Sequence, residues 1–208
     1  MRAAPRVANH RCMFNDTSTL RTHLATRRSG KPRDMVAPGP DAATLDEILR
    51  LALRTPDHGK LAPWRMIVIA DDQRAALARL LRQSWVAEHP GAAGSDLSAL
   101  DQFAHQAPAL VVLASTPVSP SKIPLWEQQL SAGAVAMNLL HAAHAHGFVA
   151  SWLTGWAAYS PHVTAALGLG EGDRMVGYFF IGSPAADLTE RPRPDPADVI
   201  TRWTPPAD

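Results

Sequence analysis

The sequence predicts an α/β sandwich of the α+β class, with one long helix near its centre. Short apolar segments have the composition of buried strands, and they cover residues 65–70, 109–114, 148–153 and 175–181. Apolar residues at helical spacing predict helices over residues 18–26, 44–53, 73–85, 97–105, 124–146 and 161–167. This mixture indicates the class, whereas the pattern alone leaves the order of the strands open.

The first two helices begin at residues that favour N-caps. Ser18 is the expected cap of the first helix, and Leu20 and Leu24 share one of its faces. Either Thr44 or Asp41 caps the second helix, which a following proline stops. The long helix carries a proline in its first turn and is followed by a glycine. These signals set helix ends without reference to any partner element.

The chain of 208 residues, 46% of them hydrophobic, is long enough to bury one substantial core. We expect a single domain over residues 17–208, preceded by a disordered extension over residues 1–16. Three arginines and no acid in the first twelve residues faintly resemble a transit peptide. The segment 184–208 is rich in proline, so it either dangles or lies on another surface.

Charge and cysteine content exclude several classes of partner. The formal net charge of +1 predicts neither a nucleic-acid partner nor an anionic membrane surface. No apolar run reaches the roughly 18 to 20 residues that span a bilayer. Cys12 is the single cysteine, so no internal disulfide forms, and a reducing cytoplasm is the expected location.

A cationic segment follows the first helix and reads Arg27-Arg28-Ser29-Gly30-Lys31. Arginine grips phosphate with a planar fork, and Ser29 adds a short hydroxyl donor. Lys31 lies two residues beyond Ser29 and points to the same side of an extended chain. This arrangement suits a flat dianionic ligand. The alternative is a solvated helix end, where cations complement the helix dipole.

Three further places carry candidate ligand contacts. Arg54 and His58 lie where the second helix ends, although His58 also suits a structural turn. Trp152-Leu153-Thr154 follows a buried strand and precedes a glycine that permits close approach of a ligand. Arg193 is a second basic position, set in the proline-rich tail, where a solvated role is the alternative.

Other readings of the sequence are weaker. His141 and His144 share a helical face, but no nearby carboxylate or cysteine completes a metal ligand set. Glu127 either faces a ligand or pairs with a basic neighbour. The chain has no dinucleotide-binding Gly-x-Gly-x-x-Gly turn, no P-loop and no Gly-x-Ser-x-Gly elbow. The chain therefore shows no Rossmann site for a nicotinamide nucleotide.

The order of these segments resembles the nitroreductase family of FMN enzymes over about residues 20–203. The resemblance implies a central, mostly antiparallel sheet flanked by helices, in an intertwined homodimer whose C-terminal tail crosses to the partner subunit. It also implies a set of FMN contacts, namely Arg27, Arg28, Ser29, Lys31, Arg54, His58, Trp152, Leu153, Thr154 and Arg193. In this set the first segment holds the phosphate and reaches the pyrimidine edge of the flavin.

The second segment departs from the common family pattern Pro-Ser-x-x-Asn-x-Gln-Pro-Trp. Asp57 replaces the serine, Lys60 the asparagine and Ala62 the glutamine. The resulting Pro-Asp-His motif resembles a smaller bacterial branch of NAD(P)H nitroreductases. The loss of the glutamine at Ala62 puts the usual ring contacts in question. Trp64 leads into a strand and is expected in the core.

The resemblance implies that NAD(P)H gives hydride to flavin N5, leaves, and is replaced by a small-molecule electron acceptor in a ping-pong cycle. A nitroaromatic, a quinone or a similar electrophile suits that role. Because the flavin carries the redox chemistry, no side chain is expected to act as a catalytic acid or base. One alternative is an FMN-binding protein with little turnover, which serves storage or sensing or is degenerate. Another is a dehalogenase, dehydrogenase or flavin-fragmenting enzyme on the same fold.

Overall fold

The computed structural model describes residues 14–91 and 93–206. Its helices are α1 Leu20–Thr26, α2 Ala42–Ala52, α3 Arg74–Glu88, α4 Gly94–His105, α5 Leu125–Ala145, α6 Pro161–Ala166 and α7 Pro196–Val199. Its strands are β1 Met35–Val36, β2 Trp64–Ile69, β3 Ala109–Ser115, β4 Val149–Leu153 and β5 Arg174–Pro184. The predicted helices and strands are present, and the sequence pattern missed only the two-residue strand β1, the four-residue helix α7 and short 3-10 turns.

The strands form one antiparallel sheet around β5. Strand β5 pairs with β3 on one side, and β2 pairs with the other edge of β3. Strand β4 also pairs with β5, and the short β1 pairs with its last residues, 183–184. The expectation of a mostly antiparallel sheet flanked by helices is therefore confirmed.

Helices cover both faces of this sheet. One core cluster joins the sheet to α2 and α5, and the other joins it to α3, α4 and α6. Strand β3 is buried along its whole length because Val111 and Leu113 face one cluster while Leu110 and Val112 face the other. Trp64 is half-buried and packs against the α5 side, as expected of a core residue.

The helix ends follow local hydrogen bonding. Asp41 caps α2, since its carboxylate accepts from the backbone N–H of Thr44 at 2.8 Å. Thr19, one residue after the expected Ser18, caps α1. Leu20 and Leu24 do share one face of α1, but they are 75% and 58% exposed. The side chain that α1 buries is His23.

The N-terminal end of the described chain lies against the body of the domain, and the C-terminal tail does so only in its first part. Asn15 and Asp16, placed by the sequence in a disordered extension, hydrogen-bond to the end of α1. Residues 1–13 of that extension lie outside the described residues. The tail after β5 keeps contact through Leu188, and beyond residue 190 it is exposed. Over the described chain, no helix has the length and apolarity needed to cross a membrane.

Candidate functional site

The segment after α1 is held in an extended shape by one asparagine. The Asn15 side chain accepts from the backbone N–H of Arg28 at 2.7 Å and donates to its carbonyl at 3.0 Å. Asn15 itself has φ 55°, a conformation that asparagine tolerates better than most residues. The pair of hydrogen bonds fixes the direction in which Arg27 and Arg28 leave the helix. Sequence reasoning missed Asn15, although a turn-forming residue before a helix is a readable signal.

The tail brings Arg193 to the same place, 166 residues along the chain from Arg27. Arg193 Nη2 donates to the Arg27 carbonyl at 3.3 Å. Arg28 Nε donates to the Thr189 carbonyl at 2.7 Å. Glu190 Oε1 lies 3.4 Å from Arg193 Nη2 and 3.7 Å from Arg28 Nε. We call the guanidinium groups of Arg27, Arg28 and Arg193, together with the Ser29 hydroxyl that Arg27 contacts, the guanidinium cluster.

The guanidinium cluster carries more positive than negative charge. Arg27 Nη1 donates to the Ser29 hydroxyl at 3.3 Å. Burial lowers the pKa of Arg27, and the nearby charges of Arg193 and Arg28 lower it further, with Glu190 acting the other way. Glu190 thus pairs with two of the three guanidinium groups, and the acids Asp34 and Asp187 line the adjoining cavity. An anion bound here would relieve the repulsion among the guanidinium groups, so this donor set fits a phosphate.

Lys31 and the neighbouring backbone lie beside the start of β4. A side chain added at Gly30 would put its Cβ 3.1 Å from Val149 Cγ2, so the segment packs closely on this strand. Arg28, Ser29 and Lys31 line a small cavity of about 70 Å³. A larger cavity of about 520 Å³ shares Val149 with it. Space for a ligand therefore adjoins the cationic segment.

The other end of β4 carries Trp152 and Leu153, with Thr154 directly after them. Trp152 Nε1 donates to the Val176 carbonyl at 2.9 Å, which ties the indole down over β5. Gly177 makes room for this indole, because an added Cβ would collide with it. In the described chain β4 pairs only with β5, so its outer backbone edge remains available to a ligand.

The turn that follows can admit a ligand closely. Gly155 has φ 113°, and a Cβ added there would meet no protein atom within 4 Å. The four steps from Val149 to Leu153 span about 13 Å at the rise of a strand. The cationic segment and this exposed edge therefore lie towards opposite ends of one strand. That spacing fits a ligand with a phosphate at one end and a flat ring at the other.

Side chains of helix α5 bind the backbone of the second predicted segment, which begins at Arg54. Asn138 Nδ2 donates to the Arg54 carbonyl at 2.9 Å, and the Ser131 hydroxyl donates to the Pro56 carbonyl at 2.6 Å. The Arg54 side chain is left exposed and lines a separate cavity of about 350 Å³. These bonds give two polar residues of α5 a structural task that helical periodicity did not reveal.

His58 pairs with Glu127 on the surface. Their Nδ1 and Oε2 atoms are 2.7 Å apart, with the two side chains 66% and 45% exposed. Of the two readings of Glu127, the structure thus shows the pairing with a basic neighbour. Asp57, the residue in place of the family serine, accepts from the backbone N–H of Ala62 at 2.8 Å. Lys60 and Ala62 have φ of 56° and 48°, so this turn is strained.

The predicted residues therefore form two groups. Among the described residues, no hydrogen bond or ion pair joins Arg54 or His58 to the guanidinium cluster.

Large apolar side chains that are 42% to 82% exposed lie on α1, α2, α5 and the tail. They are Leu20, Leu24, Leu51, Leu53, Leu125, Trp126, Leu130, Val199, Ile200 and Trp203.

A buried histidine cluster lies beneath Arg27. His23 Nε2 and His141 Nδ1 are 2.8 Å apart, and His144 is 2% exposed with neither ring nitrogen hydrogen-bonded. Burial, with smaller contributions from His23 and Arg27, lowers the pKa of His144 to about 3. Across residues 14–91 and 93–206, no group of three or more potential ligands is arranged to hold a metal ion. Sequence reasoning paired His141 with His144 but missed His23, which is distant in the chain.

Comparison with known proteins extends over most of the chain. The profile of the nitroreductase family matches residues 24–183. The Escherichia coli (strain K12) protein named "Putative NAD(P)H nitroreductase YdjA" is 34% identical over 182 residues, which cover 86% of this chain and 96% of that protein. A nitroreductase-like family protein from Bacillus cereus has a TM-score of 0.73 at 23% identity, with 86% and 93% coverage. The nitroreductase NfnB of Sphigopyxis sp. strain HMH, named as FMN and NADPH-dependent, has a TM-score of 0.66 at 20% identity, with 87% and 97% coverage.

Proposed function

The chain belongs to the nitroreductase family of oxidoreductases, and we propose that it passes hydride from NAD(P)H through bound FMN to a small electron acceptor. The acceptor is a nitroaromatic, a quinone or a similar conjugated electrophile, and the two substrates follow each other in a ping-pong cycle. The observation that carries the proposal is the meeting of Arg27, Arg28 and Arg193 at a site from which β4 leads to a free backbone edge. The names of the Escherichia coli and Sphigopyxis relatives support this choice of nucleotide and cofactor.

The guanidinium cluster anchors the FMN phosphate in this proposal. Arg27 and Arg28 supply planar forks, Ser29 supplies a hydroxyl, and Arg193 closes the site from the tail. Glu190 yields its contacts when the phosphate enters, because the dianion offers the arginines a better partner. The protein thereby fixes one end of the cofactor at a site defined by charge.

The other end of β4 would hold the flavin ring. The flavin supplies the hydride chemistry when it is bound, and the protein supplies orientation. Backbone groups of Trp152, Leu153 and Thr154 would contact the ring face or edge. Lys31, which lies beside the start of β4, would add positive charge at the phosphate end of the cofactor. No side chain has to move a proton for hydride transfer.

A homodimer completes the site. The exposed apolar side chains of α1, α2, α5 and the tail form the surface that a second copy covers, with Trp203 at 82% exposure on the crossing tail. Arg54 and His58, which make no hydrogen bond or ion pair with the guanidinium cluster within the described chain, would reach the flavin of the other subunit in such a dimer. The single cysteine and the proposed nicotinamide chemistry support a reducing cytoplasm as its location.

The test is an absorbance spectrum of purified protein after FMN is added and excess is removed by desalting. Retained yellow colour that bleaches with anaerobic NADH or NADPH, and returns with an acceptor, supports the proposal and names the donor. Retained colour without bleaching favours the second candidate, an FMN-binding protein with little turnover. The strained turn at Lys60 and Ala62, which lacks the family's asparagine and glutamine, is the feature that favours it. No colour refutes both.

Replacement of Arg27 by alanine tests the phosphate anchor. It removes a charge-assisted contact worth about 1.5 to 3 kcal/mol, so the Kd for FMN rises by roughly 10- to 150-fold. The matched control is Arg33→Ala, since Arg33 is close in sequence but its side chain is 75% exposed and its ion-pair partner is Asp34. A folded Arg27→Ala protein with unchanged FMN affinity would refute the assignment.

A further inference from the structure

A carboxylate at the end of α3 binds the turn that follows β4. Glu88 Oε2 accepts from Trp156 Nε1 at 2.7 Å, and Glu88 Oε1 accepts from the Ser160 hydroxyl at 2.6 Å. His162 Nδ1 lies 3.1 Å from the same Oε1. The Glu88 side chain is 21% exposed, so these contacts form in a partly desolvated place. One carboxylate therefore gathers three polar groups that are 68 to 74 residues away in sequence.

The segment held by Glu88 is the continuation of the ring-binding end of β4. Gly155 follows Thr154, a 3-10 turn spans Trp156–Ala158, and Ser160 caps α6. The Trp156 ring packs edge-on against Trp85, one turn before Glu88 on α3, with centroids 4.8 Å apart. The end of α3 thus holds both the indole N–H and the indole ring of Trp156.

The ionised state of Glu88 agrees with this arrangement. The pKa of Glu88 is lowered by its hydrogen bond from Ser160 and further by those from Trp156 and His162, while burial opposes them. A carboxylate that accepts several hydrogen bonds holds its donors more firmly than a neutral acceptor does. Ser160 in turn accepts from the backbone N–H of Val163 at 3.2 Å, so the network also sets the start of α6.

We propose that Glu88 is a positioning residue that holds the backbone of Leu153, Thr154 and Gly155 against the flavin ring. This inference rests on the proposed function, since it assigns that backbone to the ring. Thr154 and Gly155 are exposed, and Gly155 has φ 113°, a conformation that favours glycine. We call Gly155 the pivot of the turn. Trp156 is the first side chain after this pivot that is tied to another element. Loss of the carboxylate frees the pivot while it leaves the guanidinium cluster untouched.

Riboflavin separates the two ends of the cofactor, because it carries the flavin ring but no phosphate. In Glu88→Ala we expect the Kd values of FMN and riboflavin to rise by the same factor, about tenfold, as lost hydrogen-bonded positioning of the ring would produce. Arg27→Ala should instead raise the Kd of FMN and leave that of riboflavin near its wild-type value. Fluorescence titration measures the Kd of each ligand for wild type and both variants. It gives four ratios of variant to wild-type Kd, two for each ligand.

Amide hydrogen exchange gives a readout that needs no flavin chemistry. In Glu88→Ala we expect faster exchange over residues 154–160 and unchanged exchange over residues 27–31. The control is Asp101→Ala, which removes a carboxylate bonded to Arg82 of α3 at 2.6 Å and leaves the turn intact. Glu88→Gln keeps the oxygen bonded to Ser160 and loses the acceptor of Trp156, so it should give a smaller effect in a protein that still folds.

The outcomes distinguish this inference from the function beneath it. Wild-type protein that binds neither flavin overturns the proposed function, and the inference with it. Wild-type protein that binds FMN, with flavin affinities and exchange unchanged in both Glu88 variants, overturns the positioning role alone. Exchange that accelerates equally in Asp101→Ala also overturns it, since the effect would then be a general loosening of α3. The inference is supported if Glu88→Ala raises the Kd values of FMN and riboflavin by equal factors and accelerates amide exchange only over residues 154–160.

Discussion

Stability should fall on mild acidification because of one buried imidazole. His144 is 2% exposed, neither ring nitrogen is hydrogen-bonded, and burial lowers its pKa to about 3. The unfolded chain binds the proton near the ordinary pKa of 6.5, whereas the folded chain does not. The stability associated with neutral His144 is therefore fully present above pH 6.5 and is lost as the pH falls towards 3.

The size of the effect follows from this difference. At pH 5, about 1.5 units below the ordinary pKa, His144 is protonated in the unfolded chain, and proton binding stabilises that state. In the folded chain His144 is still neutral at this pH. At about 1.36 kcal/mol per unit, the free energy of unfolding drops by about 2 kcal/mol between pH 7 and pH 5. Such a loss is a large part of the stability of a typical domain, about 5 to 15 kcal/mol.

Urea unfolding of His144→Leu and wild type at pH 7 and pH 5 measures it, with equal flavin content in all samples. Leucine fills the site without a proton-binding group, so the loss between the two pH values should shrink by about 2 kcal/mol. Some pH dependence will remain, because the pKa values of His23 and His141 are lowered too. His105→Leu, on α4, controls for loss of a histidine elsewhere. Identical pH dependence in wild type and His144→Leu would refute the reasoning.

Two further substitutions test contacts around the site. Glu190→Gln removes the carboxylate that lies 3.4 Å from Arg193 Nη2, so FMN affinity should rise severalfold at low salt and less at high salt; a fall in a fluorescence titration would contradict this competition. Gly177→Ala places a Cβ against the Trp152 indole. Overpacking of this kind costs about 1 to 3 kcal/mol, measurable by urea unfolding. Gly94→Ala controls for the loss of a glycine, because a Cβ added there meets no protein atom within 4 Å and the backbone is not left-handed.

Much of the local structure could be predicted because its causes are local. Helical spacing and proline positions located the helices, and the Asp41 cap was one of two stated choices. The expected Ser18 cap was displaced to Thr19 because neighbouring hydroxyl residues compete for the same role. Strand β1 escaped notice, since two residues give no pattern. Leu20 and Leu24 share one face of α1 as expected, but helical spacing alone does not reveal that this face is exposed.

The amino-acid sequence alone specifies most of the helices and strands, the cationic segment after α1 and the resemblance that orders the strands. These features depend on side chains within a few residues of one another, and over so short a distance the spacing in the sequence nearly fixes their relative positions. Only the tertiary structure brought Arg193 to Arg27, assembled His23 with His141 and His144, and placed Glu88 beneath the turn after β4. Each of these contacts closes a long loop of chain, and no local preference encodes which distant residue arrives. The packing of helices on both faces of the sheet decides it.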